Sequence, residues 1–126
     1  IERDESLKDF IEETIAKFNL ENKIKLHIGN AIEVIDSIEG NFDLIFIDAD
    51  KASYPLYFNK CVERLNSGGI MIADNILWYG KVVLDVKDSD KETKALMNFN
   101  KMVTEDERLD NLIIPIRDGL MVARKK

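Results

Sequence analysis

Two segments are almost wholly apolar, residues 42–47, broken only by Asp43, and residues 70–73. Each ends on oxygen-bearing side chains: Asp48 and Asp50 after the first, Asp74 and Asn75 after the second. Short apolar runs of this kind belong to strands of a parallel sheet covered on both faces. Around them the periodicity changes. Leu7, Phe10, Ile11, Ile15 and Phe18 share one helical face, which predicts a helix over residues 5–18 with Asp4 or Ser6 as its N-cap. Ile24, Leu26 and Ile28 alternate with Lys25 and His27, which predicts a short strand closed by Gly29 and Asn30. Residues 31–38 read as a short amphipathic helix. Residues 54–65 predict a helix with Tyr57, Phe58, Cys61, Val62 and Leu65 inward and Pro55 in its first turn. Asn66-Ser-Gly-Gly69 breaks it. Residues 76–90, with Trp78, Tyr79 and Gly80, read as a long loop of the kind that is functional or mobile. Leu96, Phe99, Asn100 and Val103 define one side of a helix over 91–104. Strands at 112–116 and 120–123 are joined by the turn former Arg117-Asp118-Gly119.

Alternating strands and helices predict an α/β layer structure: a mostly parallel sheet with an antiparallel hairpin at its C-terminal edge. In such folds ligands sit outside the carboxyl ends of the strands, where Asp48 and Asp74 fall. Two strand ends side by side would gather Asp48, Asp74 and Asn75, with Lys51 close by. Those oxygens suit a hard divalent cation, and the lysine suits a general base. Spacing alone leaves a plainer reading open, because Asp and Asn at strand ends also cap the next turn. Asp50 is read as such a cap or a solvated carboxylate, Lys51 by itself as a surface lysine, and Glu2 as a first-turn acid. His27 is read as structural or exposed rather than catalytic, and Cys61 as a packing residue.

Composition narrows the classes. The chain has 126 residues, one domain's worth, 45% hydrophobic and 33% charged, which suits a folded soluble chain rather than a disordered one. A net charge of −6 argues against a nucleic-acid partner, and the only basic run, Arg124-Lys125-Lys126, reads as a solvated tail. No apolar run approaches the roughly 20 residues that cross a bilayer, so no membrane partner is expected. Cys61 is the single cysteine; no internal disulfide can form, which fits a reducing cytoplasm. Ile1-Glu2-Arg3-Asp4 reads as the tail of a strand, so the natural protein is expected to extend upstream.

Taken together, Phe46-Ile-Asp-Ala-Asp-Lys51, Gly68-Gly-Ile-Met-Ile-Ala-Asp-Asn-Ile-Leu-Trp-Tyr-Gly-Lys-Val82 and Arg117-Asp-Gly-Leu-Met-Val-Ala-Arg-Lys125 resemble the cation-dependent O-methyltransferases, the group of caffeoyl-CoA and catechol O-methyltransferases and their bacterial relatives. The resemblance covers essentially the whole chain. It implies a Rossmann-like methyltransferase fold whose seven-stranded sheet is represented here by the third to seventh strands and the tip of the second. The glycine-rich loop after the first strand is not in this chain. The fourth strand, central in the family, then becomes an exposed apolar edge. The resemblance implies Asp48, Asp74 and Asn75 as metal ligands and Lys51 as general base. It places Glu2 on the ribose of S-adenosylmethionine and Asn30 and Ala31 against the adenine, with Asn30 standing where the family has Asp. Asp48 is shared between metal, cofactor and catalytic roles, and Trp78 and Tyr79 border the acceptor pocket. A homodimer is implied as well.

The expected chemistry is in-line methyl transfer from a sulfonium to a hydroxyl. Mg²⁺ or a similar ion orients the acceptor oxygens and acidifies them, and Lys51 takes the proton. The expected substrate is a small catechol-like or phenolic hydroxyl compound. A second reading is a truncated, non-catalytic domain that keeps the metal-site motifs but does not hold the cofactor. A dehydrogenase is a third reading, disfavoured because hydride transfer has no use for the Asp-Asn pair.

Overall fold

A computed structural model describes all residues, 1–126. The chain forms two compact units, residues 1–39 and 40–126.

In the first unit, Asp4 caps a 3-10 turn, Glu5–Leu7, by accepting the Ser6 N–H at 2.9 Å. The turn runs into α1, Lys8–Lys17, which ends where Asn19 takes a left-handed φ of 53°. Of the predicted apolar stripe only Ile15 is buried; Leu7, Phe10 and Phe18 are exposed. Asn30 caps α2, Ala31–Ser37. The strand predicted over 24–28 does not form. Its one ladder contact is a parallel bridge between Glu2 and Ile28, with Glu2 N–H donating to the His27 carbonyl and Gly29 N–H to the Glu2 carbonyl. Alternation fits residues to a pleat, but a strand exists only where a neighbour takes its backbone groups. Here that neighbour is one residue long.

The second unit is a four-stranded mixed sheet with two helices. β1 is Phe42–Ile47, α3 Tyr54–Arg64, β2 Leu65–Asp74, α4 Lys91–Glu105, β3 Leu109–Ile114 and β4 Leu120–Lys125. The strand order is β1-β2-β4-β3, which is fourth, fifth, seventh and sixth in the family's count. β1 runs parallel to β2, while β4 is antiparallel to both β2 and β3. The expected antiparallel hairpin at the C-terminal edge is present, and the single parallel ladder is β1–β2. β2 starts earlier than the glycines implied. Pairing passes from Phe42–Leu65 to Leu44–Ile70, and the intervening residues form an irregularity in the strand. Gly69 is required there, because a Cβ would lie 2.9 Å from the Asn66 carbonyl oxygen and 3.0 Å from that of Phe42. Pro115 lies just beyond the end of β3, since it has no N–H for the ladder.

The core lies between one sheet face and the two helices. Met71 and Ala73 of β2, Met121 and Ala123 of β4, Val62 of α3, and Leu96, Phe99 and Val103 of α4 are all 0% exposed. The register puts Leu44, Phe46, Ile70 and Leu112 on the opposite face, and all four are exposed. β1 is therefore an apolar edge strand, as the resemblance implied. Full cover of its apolar run, which periodicity alone predicted, is not found: Leu44 and Phe46 stay open, while Ile47 is buried. The basic tail is not simply solvated. Lys125 Nζ donates to the Val62 and Leu65 carbonyls, each at 2.8 Å, capping the orphan end of α3.

Candidate active site

The carboxyl ends of β1 and β2 are neighbours because the parallel register pairs Ile47 with Ala73. Asp48 follows the first partner and Asp74 the second, so one more ladder step sets both acids at the same sheet edge. Asn75 comes next with a left-handed φ of 61°, a conformation Asn tolerates. Its N–H donates to Asp74 Oδ1 at 2.7 Å.

Beyond β1 the chain turns sharply. Asp50 accepts the Ser53 N–H at 3.1 Å and the Tyr57 hydroxyl at 2.8 Å, capping a 3-10 turn, Lys51–Ser53. That turn folds Lys51 back over the strand ends. Lys51 is only 6% exposed, against the usual habit of lysine. Its Nζ donates to the Tyr54 hydroxyl at 2.6 Å and lies 3.4 Å from both Asp48 Oδ1 and the Asp74 carbonyl oxygen. The Tyr54 ring centroid is 4.6 Å away. The Asp48 side chain is 57% exposed, so this long ion pair contributes little to stability but leaves the carboxylate open to a ligand. Tyr54 is fully buried. Its hydroxyl donates to the Asp74 carbonyl at 2.8 Å and lies 3.4 Å from that of Ile47. Burial first, and the Asp48 charge second, push its phenol well above the usual range.

The loop after Asn75 is anchored to the β3–β4 connection. Ile76 N–H donates to the Gly119 carbonyl, Leu77 N–H to that of Asp118, and Tyr79 N–H to Asp118 Oδ1 at 2.7 Å. From the core side, Asn100 Nδ2 donates to the Ile76 carbonyl at 3.0 Å. Trp78 and Tyr79 both have positive φ, 49° and 56°, a costly arrangement of the kind that collects at functional loops. Their rings lie 5.6 Å apart. Tyr79 helps to line an open hollow of about 620 Å³ with Leu77, Val82, Val83 and Arg117.

Of the residues picked from sequence, Asp48, Lys51, Asp74 and Asn75 meet at the β1–β2 edge. Glu2, Asn30 and Ala31 belong to the first unit. There Glu2 Oε1 accepts the Asp4 N–H at 2.7 Å, Asn30 Oδ1 accepts the Ile32 N–H at 3.1 Å, and Ala31 opens α2. No group of three or more His, Cys, Asp or Glu side chains that could hold a metal is present. The cation set read from sequence is a smaller one, two carboxylates and an amide. Its hard oxygens suit Mg²⁺ chemically, and Asp74 Oδ2 remains for such an ion when Oδ1 takes the Asn75 N–H. Sequence reading missed Tyr54, which was not counted on the inner face of α3. The available signal was its place three residues after Lys51, at the start of a helix.

The strand ends, the buried lysine and the sheet order define a Rossmann-like methyltransferase scaffold. A family model described as O-methyltransferase matches residues 1–126, and the chain belongs to that family. It is 35% identical over 128 residues to a Dictyostelium discoideum protein named probable caffeoyl-CoA O-methyltransferase 3, covering 87% of this chain and 51% of the relative. It is 34% identical to the caffeoyl-CoA O-methyltransferase of Populus kitakamiensis, covering 88% and 52%. Among solved structures, the O-methyltransferase from Bacillus cereus in complex with SAH superposes with a TM-score of 0.89 at 25% identity, over 99% of this chain and 60% of that one. The SAH-bound Podospora anserina methyltransferase PaMTH1 gives 0.84 at 28% identity, over 99% and 58%. The chain thus spans about half the length of the curated relatives it matches. No helix is long and apolar enough to cross a membrane.

Proposed function

We propose that this chain is the metal- and base-bearing part of a methyltransferase that uses S-adenosylmethionine and a divalent cation to methylate a hydroxyl of a small catechol-like or phenolic acceptor. The observation that carries this reading is a buried lysine amine held beside two acid-bearing strand ends. The cofactor class is supported by the SAH-bound neighbours, and the reaction type by the family. Asp48, Asp74 and Asn75 would hold the cation, which when bound polarises and orients the acceptor oxygens. S-adenosylmethionine supplies a methyl on a sulfonium that leaves as a neutral thioether.

The protein's own groups do the rest. Lys51 Nζ accepts the acceptor's hydroxyl proton as the oxygen–carbon bond forms and the carbon–sulfur bond breaks. Asp48, 3.4 Å from that amine, stabilises it once it carries the proton. Glu2 would hold the ribose hydroxyls, and Asn30 with Ala31 would lie against the adenine. A general base at this position is worth roughly 10²–10⁴ in rate.

Transfer of a labelled methyl group to catechol, with and without chelator, tests the reading. Turnover should vanish in chelator and return with Mg²⁺. Asp48→Ala should lose the Mg²⁺ response, and Lys51→Met should slow kcat by about 10²–10⁴. Full wild-type turnover in chelator would refute the metal role, and an unimpaired Lys51→Met would refute the base. No heat of S-adenosylmethionine binding by titration calorimetry would favour the non-catalytic reading.

A further inference from the structure

The hydroxyl of Tyr54 touches every part of the site's foundation. It lies 2.8 Å from the carbonyl oxygen ending β2, 3.4 Å from that ending β1, and 2.6 Å from Lys51 Nζ. A phenol has one proton to give. Both carbonyls accept only, and the hydroxyl donates its proton to the nearer of them, that of Asp74 at 2.8 Å. The phenol oxygen then faces Lys51 as an acceptor, and the amine must donate to it. The ring itself cannot swing away. It is fully buried, with its centroid 5.2 Å from that of Phe99 and 6.4 Å from that of Tyr57, both edge-on.

We propose that Tyr54 is the positioning residue of the site, aiming the Lys51 amine at the acceptor while tying the β1 and β2 ends together. A lysine stem is long and free to rotate, so burial alone does not fix where Nζ points. With one N–H spent on the Tyr54 oxygen and another directed at the Asp74 carbonyl, the amine's remaining valence faces the Asp48 side, the half-exposed edge of the site. The catalytic part of this inference rests on the function proposed above; the mechanical part, that Tyr54 immobilises Lys51, does not.

Tyr54→Phe keeps the ring and removes only the hydroxyl, and two readouts separate the two parts. The first is the ¹H–¹⁵N signal of the Lys51 side-chain amine in this chain, assigned by its disappearance in Lys51→Met. It should be sharp and exchange-protected in the wild type and should broaden or vanish in Tyr54→Phe while the backbone spectrum stays folded. An unchanged signal overturns the proposal. The second is kinetics in the protein made from its full reading frame. Tyr54→Phe should lower kcat roughly tenfold to a hundredfold, a share of what the base supplies, with KM for S-adenosylmethionine unchanged. In a Lys51→Met background the same substitution should cost nothing further, because both act through one group. Equal losses in the two backgrounds would mean a general structural role and would overturn the proposal. A fully active Lys51→Met would instead sink the base assignment, leaving the amine signal to decide the immobilisation.

Discussion

Gly119 is where a single methyl group should do most harm close to the site. Its φ is +82°, and a Cβ built on it would lie 2.5 Å from Leu77 Cγ, 2.8 Å from Leu77 Cδ1 and 3.3 Å from Ile76 Cδ1. Gly119→Ala therefore meets two costs. A side chain in left-handed backbone costs about 1–2 kcal/mol, and overpacking typically costs about 1–3 kcal/mol. The total is roughly 2–5 kcal/mol, to be set against the 5–15 kcal/mol that holds an ordinary domain together. Gly68 supplies the control. Its φ is +81°, with nothing within 4 Å of the built Cβ, so Gly68→Ala should cost only the backbone share. Urea unfolding followed by circular dichroism reads both. With a slope of about 2 kcal/mol per molar urea, the midpoint should fall by roughly 1–2.5 M for Gly119→Ala and by clearly less for Gly68→Ala. Equal midpoints would show that Leu77 moves aside freely and that the packing argument is wrong. Because the Ile76 and Leu77 N–H groups bond to the Gly119 and Asp118 carbonyls, the clash should also disturb the segment next to Asn75.

Other predictions probe the rest of the unit. Met71→Ala, on the covered face of β2, should cost about 2–5 kcal/mol. Phe46→Thr, at a position 59% exposed on the other face, should cost no more than about 1 kcal/mol; similar losses by thermal unfolding would show that both faces are packed. Cys61, buried and with its thiol pushed up to about 12 by that burial, should react with a thiol reagent at pH 8 only after denaturant is added. Asp106 is held below the usual carboxylate range, first by its hydrogen bond from Arg108. A depressed folded value means stability present at neutral pH and lost as the solution is acidified through the carboxylate range. Asp106→Asn should thus destabilise at pH 7 by a few tenths of a kcal/mol to about 1 and flatten the acid limb of the stability curve, which a pH series of melting temperatures would reveal.

The fold was most legible where one strong pattern decided the element. The apolar run at 42–47 gave β1 with the observed bounds, and the stripe of Leu96, Phe99 and Val103 gave α4 to within a residue at its end. Pattern failed where the answer depends on a neighbour. Residues 24–28 alternate correctly but meet a one-residue partner, and Phe10 and Phe18 form a stripe that stays exposed. At the site, the acids and the lysine could be read from strand ends and spacing. The burial of Lys51 and the part played by Tyr54 could not, because charge predicts exposure unless a specific acceptor is seen to compensate. Lys125 escaped for the same reason: its acceptors are two carbonyls about sixty residues away in sequence.

The order of strands carries a consequence for biosynthesis. β4 is made after both β2 and β3, yet it lies between them, and β3 has no other strand to bond. A ribosome emitting this chain therefore delivers the outer plank before the one that holds it. Until β4 emerges, β3 has no lodging and β2 offers a vacant side, so the domain closes in a late, non-local step of the slow kind. During that interval the β2 edge that β4 will cover stays open, the kind of unpaired edge a chaperone would be expected to meet.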